Sequence, residues 1–147
     1  MSDLEQNLAV ALFSELFMAD QLARNRLTRA LPKGMELSHF SVLNHLANLG
    51  DERTPAQLAQ TFHLTRGAMT NTLAKLELAG YVHVRPDWDD ARRKMVAISP
   101  AGRQARDAAV SVIVPIIEDA VKAAGTERVR AILPTLRELR ISLSKID

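Results

Sequence analysis

Three consecutive cations, Arg92-Arg93-Lys94, closely follow three acids, Asp87, Asp89 and Asp90. Cations gathered in a polar loop have little to do in a core and much to do against a polyanion. An aspartate two residues before an arginine can fix the guanidinium by a charge-assisted hydrogen bond. Asp90-Ala91-Arg92 therefore reads as a preset cation, the other reading being a self-neutralised surface loop. Upstream, Gly67, Thr70, Asn71 and Ala74 recur at i, i+3, i+4 and i+7, the spacing of one helix face. These small or amide side chains can approach a groove floor, exchange hydrogen bonds with base edges and touch a thymine methyl. Arg66 and Lys75 flank the face where phosphates would lie. With Ser38, Thr65 and Arg85 added, the candidate DNA-contacting set is complete.

The elements that must carry these residues are legible in turn. Thr54 reads as an N-cap, with Gln57 at the capping-box return position and Pro55 at the first helical position. Leu58, Ala59 and Phe62 give that short helix its apolar stripe. His63-Leu64-Thr65 breaks it, and Thr65 reads as a second N-cap. The next helix should run from about Arg66 to Ala79 and end at Gly80, with Met69, Leu73 and Leu76 as its buried face. Tyr81–Arg85 and Met95–Ser99 are β-rich runs joined by a polar loop, which predicts a hairpin.

Outside this stretch the pattern is helical. Leu4, Leu8, Ala11, Leu12, Glu15 and Ala19 suggest a long first helix ending near Leu31-Pro32-Lys33-Gly34. Ser38 is expected to cap a second helix through Leu49, stopped by Gly50, with Phe40, Leu43, Leu46 and Ala47 on one apolar face and Val42 and Leu49 on another. Pro100 should start a helix through about Ala124, which Pro115 should kink or interrupt. Gly125-Thr126 should end it and cap a last helix. There Val129, Ile132, Leu133, Leu136, Leu139, Leu143 and Ile146 recur at three and four, and Pro134 predicts a bend or a fresh start. Stripes this continuous exceed what a small head can bury. A two-fold dimer with interleaved terminal helices is the simplest solution, and an intramolecular bundle is the other.

Composition narrows the function. The chain has 147 residues and a net charge of only +2, so affinity for a polyanion must come from local clustering. Aromatic content of 4% is too low for base-stacking platforms. The absence of cysteine excludes disulfides, thiolate zinc sites and thiol redox sensing. His39, His45, His63 and His83 lack metal-ligand spacing, and no catalytic motif is present, so neither metal, cofactor nor enzymatic activity is expected. No leader or apolar run of membrane length is seen, so a cytoplasmic protein without a membrane partner is expected.

With these residues on the page, the chain resembles MarR-type winged helix-turn-helix regulators over nearly its whole length. The elements that carry the likeness are LSHFSVLNHLANLG, TPAQLAQTFHLTRGAMTNTLAKLELAGYV, Asp90-Ala91-Arg92 as the D-x-R of the wing, and ISPAGR. The chain departs from common family choices at Asn71, Val84 and His39. The resemblance implies a homodimer on a palindromic operator, released by a ligand or other signal, with an effector pocket at Phe17, Met18 and His39. The expected fold is mainly α with a small β-hairpin wing. Residues 1–34 would form an N-terminal dimerisation helix, 35–103 the winged head and 104–147 the C-terminal dimerisation helices. The alternative is a winged-helix scaffold that binds protein and not DNA, which the wing cations speak against.

Overall fold

The computed structural model describes residues 2–145; Ile146, expected to extend the last stripe, lies outside them. Helices α1 (Asp3–Ala30), α2 (Leu37–Leu49), α3 (Pro55–Thr61) and α4 (Arg66–Leu78) precede strands β1 (Val82–Pro86) and β2 (Lys94–Ile98), and α5 (Pro100–Ala124) and α6 (Thr126–Ser144) follow. The chain forms two compact units, one up to Val112 and one from Ile113, and the division falls inside α5.

The first unit is built on capped helices. Thr54 Oγ1 accepts from the Gln57 N–H at 3.1 Å while Gln57 Oε1 accepts from the Thr54 N–H at 2.9 Å, the reciprocal box expected there. Thr65 Oγ1 accepts from the Ala68 N–H at 3.1 Å and starts α4. Ser2 and Glu5 form the same kind of box at the head of α1. Ser38 does not cap α2. Glu36 is the N-cap, and Ser38 sits at the second helical position. His39 takes the return role there, its Nδ1 accepting from the Glu36 N–H at 3.3 Å.

Leu43, Leu46, Leu58, Met69, Leu76 and Val96 are sealed from solvent and form the core of the head. On α2 the buried residues are His39, Val42, Leu43 and Leu46. Phe40 and Ala47 are half-buried and Leu49 is exposed, so the buried arc is narrower than the two faces expected. The antiparallel hairpin pairs Val82 with Ile98 and Pro86 with Lys94, one residue later on β1 and one earlier on β2 than the β-rich runs implied. Lys94 is thus a strand residue. The α2–α3 connection adds a bridge: the Arg53 N–H donates to Val96 O at 3.0 Å, and the Val96 N–H donates back at 2.7 Å.

Where α4, the hairpin and α5 meet, the backbones nearly touch. Ser99 Oγ donates to Gly80 O at 2.6 Å and accepts from the Gly102 N–H at 3.0 Å. A Cβ added at Gly102 would collide with the backbone oxygen of Tyr81, so only glycine admits this approach. Arg106 ties α5 to α2 through Asn44 Oδ1 and Asn48 Oδ1, both at 3.1 Å.

Pro115 and Pro134 lie within α5 and α6 without ending them. Each removes one N–H from the ladder, and the bonds on either side keep the helix assigned. Gly125, at φ 104°, is the N-cap position of α6, and Thr126 is its first helical residue, so the pair ends α5 and starts α6 as expected. In the second unit Val114, Ile117 and Val121 line a hollow of about 370 Å³ with Glu118, Lys122 and Thr126. Apolar side chains at the two chain ends are uncovered. Leu4 is 78% exposed, Phe17 69%, Ile132 51% and Leu143 53%.

Candidate nucleic-acid interface

The exposed arc of α4 divides along its length. Arg66, Thr70, Ala74 and Glu77 face a cleft of about 620 Å³ whose opposite wall is the wing, through Val84, Arg92, Arg93 and Lys94. Thr54, Pro55 and Gln57 at the start of α3 close one end of it. Gly67, Asn71 and Lys75 lie on the other edge of the arc, exposed and outside the cleft lining. That edge borders the start of α2, because Lys75 Nζ lies 3.9 Å from Glu36 Oε1. Ser38, exposed in the first turn of α2, stands just beyond Glu36. Thr65 is exposed at the head of α4, its side-chain oxygen engaged as the cap.

The wing sorts its charges by direction. Arg92 Nε donates to Asp90 Oδ1 at 3.1 Å, and the Arg92 N–H donates to the same oxygen at 3.1 Å. The Arg92 side chain is 91% exposed and that of Asp90 31%. These two donors, with Arg93 nearby, hold the Asp90 carboxyl below the ordinary aspartate value, against a smaller upward push from burial. The acid therefore stays charged, and the guanidinium stays aimed, down to lower pH than an isolated aspartate would allow. Arg93 faces Asp87 at 3.7 Å with the acid again the more buried partner. In these two pairs the carboxylates of Asp87 and Asp90 turn inward and the guanidinium groups outward, while Asp89 stays exposed.

Arg85 is used differently from the other cations. It donates to Glu52 Oε1 from Nε at 3.1 Å and to Pro86 O from Nη1 at 2.8 Å. With Arg53 bridging Val96, this pair fixes the wing against the head. Sequence reasoning missed Glu52 and Arg53, because a pair 33 residues apart leaves no local trace. It also passed over Trp88, an exposed ring over which the Arg85 guanidinium lies at 4.6 Å. A lone tryptophan in a loop of acids was the available signal.

Phe17 and Met18 are exposed on α1, and His39 is buried at the start of α2. None of the three lines the cleft or the hollow of the second unit. Among the described residues no group of three or more His, Cys, Asp or Glu is placed to hold a metal ion, and no helix is long and apolar enough to cross a membrane.

Comparison with known proteins yields one family. Residues 33–93 match the MarR family. The transcriptional activatory protein BadR of Rhodopseudomonas palustris is 27% identical over 105 residues, which are 69% of this chain and 60% of that protein, so the chain spans less than two thirds of that relative. The crystal structure of the transcriptional regulator BldR from Sulfolobus solfataricus superposes with a TM-score of 0.80 at 26% identity, covering 99% of this chain and 100% of that one. A mutant MarR from E. coli in complex with operator DNA superposes with a TM-score of 0.81 at 22% identity, over 94% and 99% of the two chains, a likeness of fold.

Proposed function

From the match of residues 33–93 to the MarR family, we propose that the chain is a MarR-type regulator that binds double-stranded DNA sequence-specifically and acts as a homodimer on a pseudo-palindromic operator. The observation that carries this reading is the cleft itself. It sets the cations of the wing opposite the polar edge of α4, at the head of which stands Arg66. A recognition helix needs a groove-facing surface free of large apolar side chains, and Gly67, Thr70, Asn71 and Ala74 supply it. Arg92, aimed outward by Asp90, suits the narrow and electronegative minor groove beside the helix. The E. coli MarR neighbour is a complex with operator DNA, which supports the same partner. The site serves to bind and not to catalyse.

In this reading the protein works in the cytoplasm as a repressor. A dimer seated on its operator covers the surface other proteins need, and a small ligand releases it, bound in a pocket to which Phe17, Met18 and His39 contribute. Uncovered apolar side chains on α1 and α6 support the second copy.

Selection from random duplex DNA tests the proposal. Two symmetric recognition helices on one face of the duplex require half-sites about 10–10.5 bp apart, centre to centre. Recovery of such pseudo-palindromes is expected. Recovery of single asymmetric half-sites would contradict the dimeric reading, and recovery of no enriched sequence would favour a protein-binding scaffold. Transcription from a promoter carrying the selected site should fall when the protein is added.

A further inference from the structure

The largest side chain that the wing exposes has no part in the cleft. Trp88 is the only tryptophan in the chain, and it is 81% exposed. Its ring is nevertheless held. The Arg85 guanidinium lies 4.6 Å from the ring centroid, and Arg85 is itself fixed to Glu52 at 3.1 Å and to Pro86 O at 2.8 Å. One side of the indole is covered by an anchored cation, and the remainder is presented to solvent. A tryptophan carries a large apolar surface, which makes it a strong contact when a partner covers it.

The loop around the ring indicates what that partner is. Asp87 and Asp90 are 17% and 31% exposed, whereas the arginines they pair with, Arg93 and Arg92, are 54% and 91% exposed. Asp89 is the one exposed acid of the loop, so the tip offers two outward guanidinium groups, one carboxylate and a flat uncharged ring together. Duplex DNA accepts both: the minor groove takes arginine, and its sugar walls and base edges take apolar side chains.

Resting on the DNA-binding reading above, we propose that Trp88 is a DNA-contacting residue whose uncovered surface packs against deoxyribose rings of the minor groove beside Arg92, with Arg85 as the positioning residue that holds the indole. The wing thus grips the groove with a cation and an apolar side chain at once.

Because no other tryptophan is present, the emission of the whole protein reports this site alone. The full chain is titrated with a labelled duplex carrying the selected sequence. Anisotropy of the label reads binding, and acrylamide quenching of the tryptophan reads access to the ring. Quenching should fall with the same midpoint as the anisotropy rises. Trp88→Ala should weaken binding by about tenfold, and Trp88→Phe by less, with the salt slope unchanged because the ring neutralises no phosphate. In the free protein Arg85→Ala should increase acrylamide quenching, the mark of an uncovered ring. Trp88 is exposed, so its truncation leaves the core intact, and the wild-type quenching needs no variant at all.

Full binding with quenching unchanged would overturn the proposal and leave the ring as a protein-docking side chain. A Trp88→Ala variant that lost salt slope as well as affinity would show that the ring only props up the neighbouring cations, and would overturn the contact. If no duplex moved the anisotropy, the DNA-binding reading would fail, and this proposal with it.

Discussion

At the scale of single residues, the cations and amides of the interface should separate by what they read. Arg92→Ala should weaken binding to operator and scrambled duplex alike and lower the salt slope by roughly one unit, since a wing cation meets charge and groove width more than base identity. Asn71→Ala should do the reverse. An amide pairing bidentately with adenine is worth roughly 1–3 kcal/mol of discrimination, so preference at one symmetric position should relax while non-specific binding holds. Affinities for both duplexes at matched salt check the pair; equal losses for Asn71→Ala on both would assign it to the backbone. Gly67 tests whether the helix face trades stability for approach. A Cβ there meets nothing within 4 Å in the free protein. Gly67→Ala should therefore stabilise the fold by about 0.5–1 kcal/mol, because glycine is a poor helix former. The same variant should bind DNA less well, since the added methyl stands where the groove floor comes close. Urea unfolding and anisotropy on one preparation decide it, and tighter binding by the variant would refute the role given to Gly67.

At the scale of elements, the wing and α5 depend on one junction. Ser99 links the end of α4 to the start of α5 through Gly80 O and the Gly102 N–H, and is buried doing so. A Cβ at Gly102 would press on Tyr81 O and lie 2.9 Å from Ile98 Cγ1. Backbone has to yield, so Gly102→Ala should cost about 1–3 kcal/mol, the usual range for overpacking. The shift should appear in the urea midpoint of the free protein; an unchanged midpoint would mean the junction gives freely. The motif ISPAGR carried part of the family likeness in the sequence, and its serine and glycine now have separate duties. Pro115 and Pro134 show the limit of element-level reading. Proline removes a hydrogen bond wherever it sits, yet whether the helix stops there depends on what the flanking turns pack against.

At the scale of the molecule, apolar surface is left open at both chain ends, which is what the proposed dimer would cover. Leu8 is 69% exposed, Leu22 57% and Ile132 51%. Exposing side chains of this size in water is unfavourable by roughly 1.5–3 kcal/mol each relative to full burial. The protein should sediment as a dimer at micromolar concentration, and a folded monomer under those conditions would rule the dimer out. Removing the chain from Leu139 onward should cause unfolding or aggregation instead of releasing a clean monomer, because the stripe on α6 would be cut short.

What the sequence determined by itself was local. The caps at Thr54 and Thr65, the left-handed turn at Gly80 and the Asp90–Arg92 clasp all join residues two to four apart, where backbone geometry alone brings the partners together. The small and polar stripe on the exposed face of α4 was legible for the same reason, being a matter of helical period. Tertiary structure decided the rest. It turned Arg85 toward Glu52 and Trp88, bridged Arg53 to Val96, and faced Arg66 and Thr70 across a cleft from Arg92 and Lys94. Those partners lie far apart in the chain, and no local pattern encodes their meeting. It follows from how α2, α3, α4 and the hairpin bury Leu43, Leu58, Met69 and Val96 around one core.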